Sequence, residues 1–137
     1  MQGVAEDEKY AVKLYDNRYP EAINAYFHEK RCLQALGGCA SIVHFKMAGR
    51  LQDTLYPCIV TTFAGSPVSQ LSRHQRRAAS KALDRLHAIG ASHGDIRLPN
   101  ILFKQDGSCL LADLAHCVME ASQEEKQQDK SHLSTLC

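Results

Sequence analysis

Polar and apolar positions alternate along Lys9-Tyr10-Ala11-Val12-Lys13-Leu14-Tyr15, in residues that favour strands, which predicts a strand over 9–15. Asp16-Asn17-Arg18 ends it. Pro20 suits a first helical turn, and Ala22, Tyr26, Leu33 and Leu36 recur at helical spacing. A helix over 20–36 follows, stopped by Gly37-Gly38. Two strands are expected over 42–47 and 56–63, joined through Gly49, before Ala64-Gly65-Ser66-Pro67 breaks the chain. A second helix is expected over 72–89, with Ala79, Ala82, Leu83 and Leu86 on one face. Arg73, Arg76, Arg77, Lys81 and Arg85 occupy the remainder, as solvated surface to which no function is assigned. Apolar runs at 101–103 and 109–112 flank Asp106-Gly107, a pattern for a hairpin with a tight turn. The stretch 120–130 is rich in Gln, Glu and Lys and reads as either a solvated helix or a frayed tail. Residues 131–137 have the composition to begin a further helix.

Composition narrows the class. A chain of 137 residues makes one domain, and a formal net charge of +1 gives no reason to expect nucleic acid or an acidic membrane as partner. No apolar run reaches a transmembrane length, and Met1 to Asp7 lacks the basic start and apolar core of a signal peptide. A soluble protein in the cytoplasm or elsewhere inside the cell is expected. The six cysteines form no CxxC pair and several sit in apolar segments. Buried, reduced thiols are therefore expected, with neither a disulfide framework nor a zinc site.

Two placements carry chemistry. The hairpin brings together Asn100, just before its first strand, and Asp113, just after its second. Asp95 lies on the loop entering the same end, and two carboxylates with an amide oxygen suit a hard cation such as magnesium. Glu29 lies three residues after Tyr26 and four before Leu33, on the inward stripe of the first helix. A carboxylate there is costly unless paired, and Lys13 is its natural partner; Glu21 falls off the stripe.

His93-Gly94-Asp95, with Asn100 five residues after the aspartate, resembles the catalytic loop of the protein-kinase-like superfamily, and Asp113-Leu114-Ala115 resembles its magnesium-binding DFG motif. The resemblance runs from about Tyr10 to His116. Ala11-Val12-Lys13 resembles the strand with the ATP-binding lysine, and Cys58 to Gly65 resembles the last small-lobe strand and the hinge. The resemblance implies an α+β fold: a small mixed β/α N-lobe over 1–64, ending in the hinge, and a partial helical C-lobe over 65–137 that carries the β-hairpin. It implies ATP and Mg2+. Lys13 and Glu29 would pair at the phosphates, and Thr61 would be the gatekeeper. The backbones of Thr62 and Ala64 would hydrogen-bond adenine, with Ala11 and Leu102 on its two faces. Asp95 would orient the attacking hydroxyl or accept its proton, Arg97 would steady the transferred phosphate, and Asn100 and Asp113 would hold magnesium. His93 is expected to pack beneath the loop, and nothing near His87 and His93 completes a metal site.

The chain departs from the family pattern in definite places. Gly3 is the only glycine before Lys13, too close for a glycine-rich loop, and Ala115 replaces the DFG glycine. No APE-like motif or complete activation segment follows, so the domain reads as truncated at both ends. Gly94 stands where the common version has an arginine, so regulation through an activation-loop phosphate is not expected. HGD also occurs in aminoglycoside- and choline-kinase-like enzymes, which usually carry a histidine where this chain has Arg97. The reading is therefore transfer of the γ-phosphate to a protein serine or threonine. The alternatives are an impaired pseudokinase or truncated copy acting as a binding module, and a small-molecule kinase. The expected partners are a nucleotide and a protein substrate or partner, with no nucleic acid and no membrane.

Overall fold

The computed structural model describes residues 9–50, 56–62 and 65–136. The expected first strand is β1 (Tyr10–Leu14), in which Tyr10, Val12 and Leu14, at alternate positions, are about half exposed. The adjoining Tyr15 is buried and continues the pairing through its N–H to Pro57 O at 3.0 Å. Helix α1 (Pro20–Ala35) opens with proline and buries Tyr26, Glu29, Cys32 and Leu33, so the sequence stripe and its embedded carboxylate face inward.

The next two strands are β2 (Phe45–Arg50) and β3 (Pro57–Thr62). Together with β1 they make an antiparallel sheet of order β1-β3-β2. Here the structure corrects the expectation of a strand over 42–47 joined through Gly49. Gly49 lies inside β2, and Ile42 precedes it, forming a parallel bridge with Leu111. The apolar run misleads because Ile42 and Val43 are buried against the distant hairpin rather than within the sheet. The C-terminal end of the expected 56–63 strand, at Phe63, lies outside the described residues.

Helix α2 (Arg73–Ala88) matches the expected span, with Ser72 and Gln75 forming a capping box. It buries Ala79, Ala82, Leu83 and Leu86, as its periodicity requires. Strands β4 (Ile101–Phe103) and β5 (Cys109–Leu111) form the hairpin. Gly107 has φ of 89°, and Asp106 accepts from the Ser108 N–H at 2.9 Å, so this aspartate serves the turn.

The frayed-tail alternative for 120–130 is excluded. Helix α3 (Gln123–Thr135) is regular, capped by Ser122 with Glu125, and runs on through the segment expected to start a further helix. Polar contacts dock it against α2. Lys130 donates to Ser80 Oγ at 2.9 Å, and Arg76 donates to the carbonyl of Leu133 at 2.9 Å and to that of Leu136. Arg76 therefore satisfies two carbonyls at the end of α3, where a solvated surface residue was expected.

A single apolar core runs from Tyr26 and Leu33 through Ile42 and Ile59 to Leu83, Leu86, Leu111, Leu114 and Leu133. The α+β architecture, with three α-helices and two small antiparallel sheets among the described residues, agrees with the sequence. Among the described residues no helix is long and apolar enough to cross a membrane.

Candidate functional site

Lys13 and Tyr15 stand two residues apart, a spacing that puts both side chains on one face of an extended segment. Both reach Glu29 on α1. Lys13 Nζ lies 2.9 Å from Glu29 Oε1, and the Tyr15 hydroxyl donates to the same oxygen. The other carboxylate oxygen accepts from the Leu114 N–H at 2.9 Å. Lys13 Nζ also lies 3.2 Å from Asp113 Oδ1. Glu29 thus ties together β1, α1 and the segment leaving the hairpin, and this satisfies a carboxylate that is only 4% exposed.

These charges act on one another. Burial alone would lower the Lys13 ammonium, but the hydrogen bonds and charges of Glu29 and Asp113 outweigh it and hold it above its ordinary value. For Asp113 burial pushes upward, yet the charge and hydrogen bond of Lys13, with the Ala115 N–H, hold the carboxyl below its usual range. Burial and then Glu29 raise the Tyr15 phenol, which keeps its proton and so remains a donor.

Asp113 is the only non-glycine at positive φ among the described residues, at 62°. Aspartate tolerates this left-handed backbone better than most side chains do, and such strain concentrates at functional sites. The side chain turns toward Lys13 and also accepts from Ala115 N at 3.3 Å.

The loop 93–100 is built around His93, which is wholly buried. Its Nε2 lies 2.8 Å from Ala112 O, while Nδ1 accepts from the Asp95 N–H at 3.1 Å. The hydrogen-bond pattern therefore places the proton on Nε2. Asn100, in a short 3-10 turn over Leu98–Asn100, donates through Nδ2 to Asp95 O at 2.9 Å and to Asp95 Oδ2 at 3.1 Å. Arg97 is mostly exposed and pairs with Asp95 Oδ1 at 3.1 Å. Gly94 has φ of 84°, and a Cβ there would meet the Cβ of His116 at 2.9 Å and its carbonyl oxygen closer still, so position 94 has no room for a side chain.

Asp129 of α3 holds this loop from behind. It is 1% exposed and accepts from His93 N at 2.8 Å, Gly94 N at 2.9 Å and His87 Nε2 at 2.9 Å. Sequence reasoning missed Asp129, since a carboxylate in a polar helix gives no local sign of burial. It also missed Tyr15, for which the two-residue spacing from Lys13 was an available signal.

Lys13, Glu29 and Asp113 meet at a cavity of about 170 Å³, whose walls also include Ala11, Thr61, Val43 and Ile59. The structure thus brings five of the expected residues, Ala11, Lys13, Glu29, Thr61 and Asp113, around one space. Asp95, Arg97 and Asn100 form their own hydrogen-bonded group on the neighbouring loop. Thr62 is not in the wall: its N–H donates to His44 O at 2.9 Å and its hydroxyl accepts from His44 N at 3.2 Å. Leu102 is buried in β4 opposite Leu110, outside the cavity lining. Ala64 lies outside the described residues.

The five described cysteines are free and buried, as expected. The Cys32 thiol donates to the Cys117 carbonyl oxygen at 3.8 Å, and its pKa is lowered from the ordinary thiol value, chiefly by interaction with the Cys117 side chain. Among the described residues there is no group of three or more His, Cys, Asp or Glu side chains placed to hold a metal. A cation at this site would therefore draw on Asp113 and an amide or phosphate oxygen rather than on a closed protein cage.

Residues 46–136, about two thirds of the chain, match the lipopolysaccharide kinase (Kdo/WaaP) family. The chain is also similar to Protein kinase C of Drosophila melanogaster, 27% identical over 124 residues. That match covers 81% of this chain and 17% of the longer protein.

Proposed function

Because the chain belongs to the lipopolysaccharide kinase (Kdo/WaaP) family, we propose that it binds ATP with magnesium and transfers the γ-phosphate to a hydroxyl acceptor. The observation that carries this reading is Lys13 held between Glu29 at 2.9 Å and Asp113 at 3.2 Å on the wall of the cavity. An ammonium fixed by two carboxylates, rather than free to wander, is poised for phosphate oxygens. Residues 1–64 would form the small lobe and 65–137 the larger one, with the nucleotide between them.

In this reading Ala11 and Thr61 contact the base. Thr62, whose N–H is committed to His44, would meet adenine through its carbonyl, and the backbone of Ala64 and the side chain of Leu102 are assigned to the base on the family resemblance alone. Asp95 orients the acceptor hydroxyl and takes its proton. Arg97, already paired with Asp95, reaches out to the phosphate being transferred. Asn100 turns its amide nitrogen to Asp95, which leaves its oxygen for a cation shared with Asp113. Both are hard oxygen donors that fit magnesium, which supplies charge neutralisation on the phosphates when bound.

The acceptor follows from the weight of the resemblances. The family match spans the catalytic-loop segment and Asp113, and its members are described as lipopolysaccharide kinases, so a hydroxyl of a lipopolysaccharide-type glycolipid is the first acceptor. Protein serine or threonine, suggested by Arg97 and by the likeness to Protein kinase C, is the second. Labelled ATP offered with lipopolysaccharide and, separately, with a mixed protein acceptor distinguishes the two.

The direct test is thermal unfolding with ATP, with and without magnesium, beside Asp113→Asn and Lys13→Ala. Binding to the folded state raises the midpoint, by about 2.7 kcal/mol of added stability at one hundred times Kd. A magnesium-dependent rise should be lost in Asp113→Asn and reduced in Lys13→Ala. No rise in the parent protein would reject the nucleotide reading.

A further inference from the structure

Glu29 Oε1 receives two donors, and only one of them is the lysine. Tyr15 is 5% exposed, its hydroxyl donates to Glu29, and its ring lies 5.5 Å below Lys13 Nζ. The same ring meets Tyr26 of α1 edge-on, with centroids 5.4 Å apart. A buried tyrosine that serves packing alone needs some acceptor for its hydroxyl, and any carbonyl would do. This one applies both its polar end and its π face to the two members of the ion pair.

We propose that Tyr15 is a positioning residue for the Lys13–Glu29 pair, fixing the Glu29 carboxylate with its hydroxyl and cradling the Lys13 ammonium with its ring. Lys13 is 43% exposed in its side chain, and its four-carbon stem leaves an ammonium free to sample solvent unless the carboxylate is stationary. Glu29 hangs from a helix and must span to a strand. The Tyr15 hydroxyl and the Leu114 N–H hold its two oxygens from different sides, which removes rotation about its last bond. Because Tyr15 is joined to β1, the strand that carries Lys13 also sets the carboxylate that Lys13 needs. In such a device the pair is assembled whenever β1 and α1 are in contact, before any ligand arrives.

This inference rests on the nucleotide reading for its consequence but not for its geometry, and the experiment separates the two. Three variants of the whole chain are compared with the parent: Tyr15→Phe, which keeps the ring and loses the hydroxyl; Glu29→Gln; and Tyr26→Leu, which loosens the packing around the Tyr15 ring without touching the hydroxyl. Two quantities are measured, the Kd for magnesium-ATP and the rate at which a water-soluble activated ester acylates Lys13, followed by peptide mass spectrometry. Tyr15→Phe should weaken ATP about five- to tenfold, the scale of one net hydrogen bond within a folded protein. It should also move Lys13 acylation toward the Glu29→Gln rate, while Tyr26→Leu changes neither. Parent values in Tyr15→Phe, or an equal shift in Tyr26→Leu, would overturn the assignment. If the parent binds no ATP, the nucleotide reading fails and the acylation rates alone decide the role of Tyr15.

Discussion

Glu29, Tyr15 and Asp129 are three buried polar side chains that differ in how far the sequence discloses them. Glu29 was legible because it interrupts an apolar stripe, and a charge in that place demands a partner. Tyr15 was half legible, since strand spacing puts it beside Lys13 but says nothing of what its hydroxyl meets. Asp129 was invisible: its helix is polar nearly throughout, and its burial is created by the loop it holds. Its three donors make a definite prediction. Asp129→Asn replaces one acceptor oxygen with a donor that faces His87 or the backbone N–H groups of His93 and Gly94. One buried donor then goes unsatisfied, and the cost should be about 1–3 kcal/mol in denaturant unfolding, with m unchanged. A change below about 0.5 kcal/mol, the range of an ordinary surface substitution, would show that the clamp bears little of the loop's stability.

Among the elements, those with strong apolar periodicity were read nearly to the residue. Helix α2 and the hairpin are examples, for in both the local pattern and the tertiary burial agree. Strand β2 was misplaced because Lys46, Met47 and Arg50 leave it outward-facing and weakly patterned, while the more apolar Ile42 and Val43 serve another contact. Helix α3 is the opposite case, an element held by caps and polar docking rather than by a stripe. Its stability should therefore depend on Ser122, whose side chain accepts from Glu125 N at 3.1 Å while Glu125 returns a bond to Ser122 N at 2.8 Å. Ser122→Ala should cost about 1 kcal/mol. Native-state hydrogen exchange should show the loss first in the amides of α3 and in those of His93 and Gly94 that Asp129 holds. Loss confined to the first turn of the helix would argue against coupling between the cap and the loop.

At the scale of the molecule, the two-sheet architecture was legible from strand and turn patterns, whereas the links between the sheets were not, because they join residues far apart in sequence. One link is ionic, Lys13 to Asp113, and its pH dependence has a definite sign. A carboxyl held below its ordinary value stabilises the fold above that value, and the contribution is lost as pH falls through the folded-state pKa. An ammonium held above its ordinary value contributes at all lower pH and loses the contribution as pH rises through its folded-state pKa. The difference in melting midpoint between the parent and Asp113→Asn should therefore be constant from about pH 6 to 9 and shrink below about pH 4. A difference that persists undiminished at pH 3 would mean that Asp113 acts by some means other than its charge. A further link is made by backbone. Leu111 N donates to Ser41 O at 2.7 Å while Val43 N donates to Leu111 O at 3.2 Å. The hairpin is thus joined to the segment before β2 by backbone hydrogen bonds and to β1 by a pair of charges. Dissolved salt should therefore loosen the ionic attachment, whose Lys13 and Asp113 side chains are both partly exposed, and leave the backbone one in place.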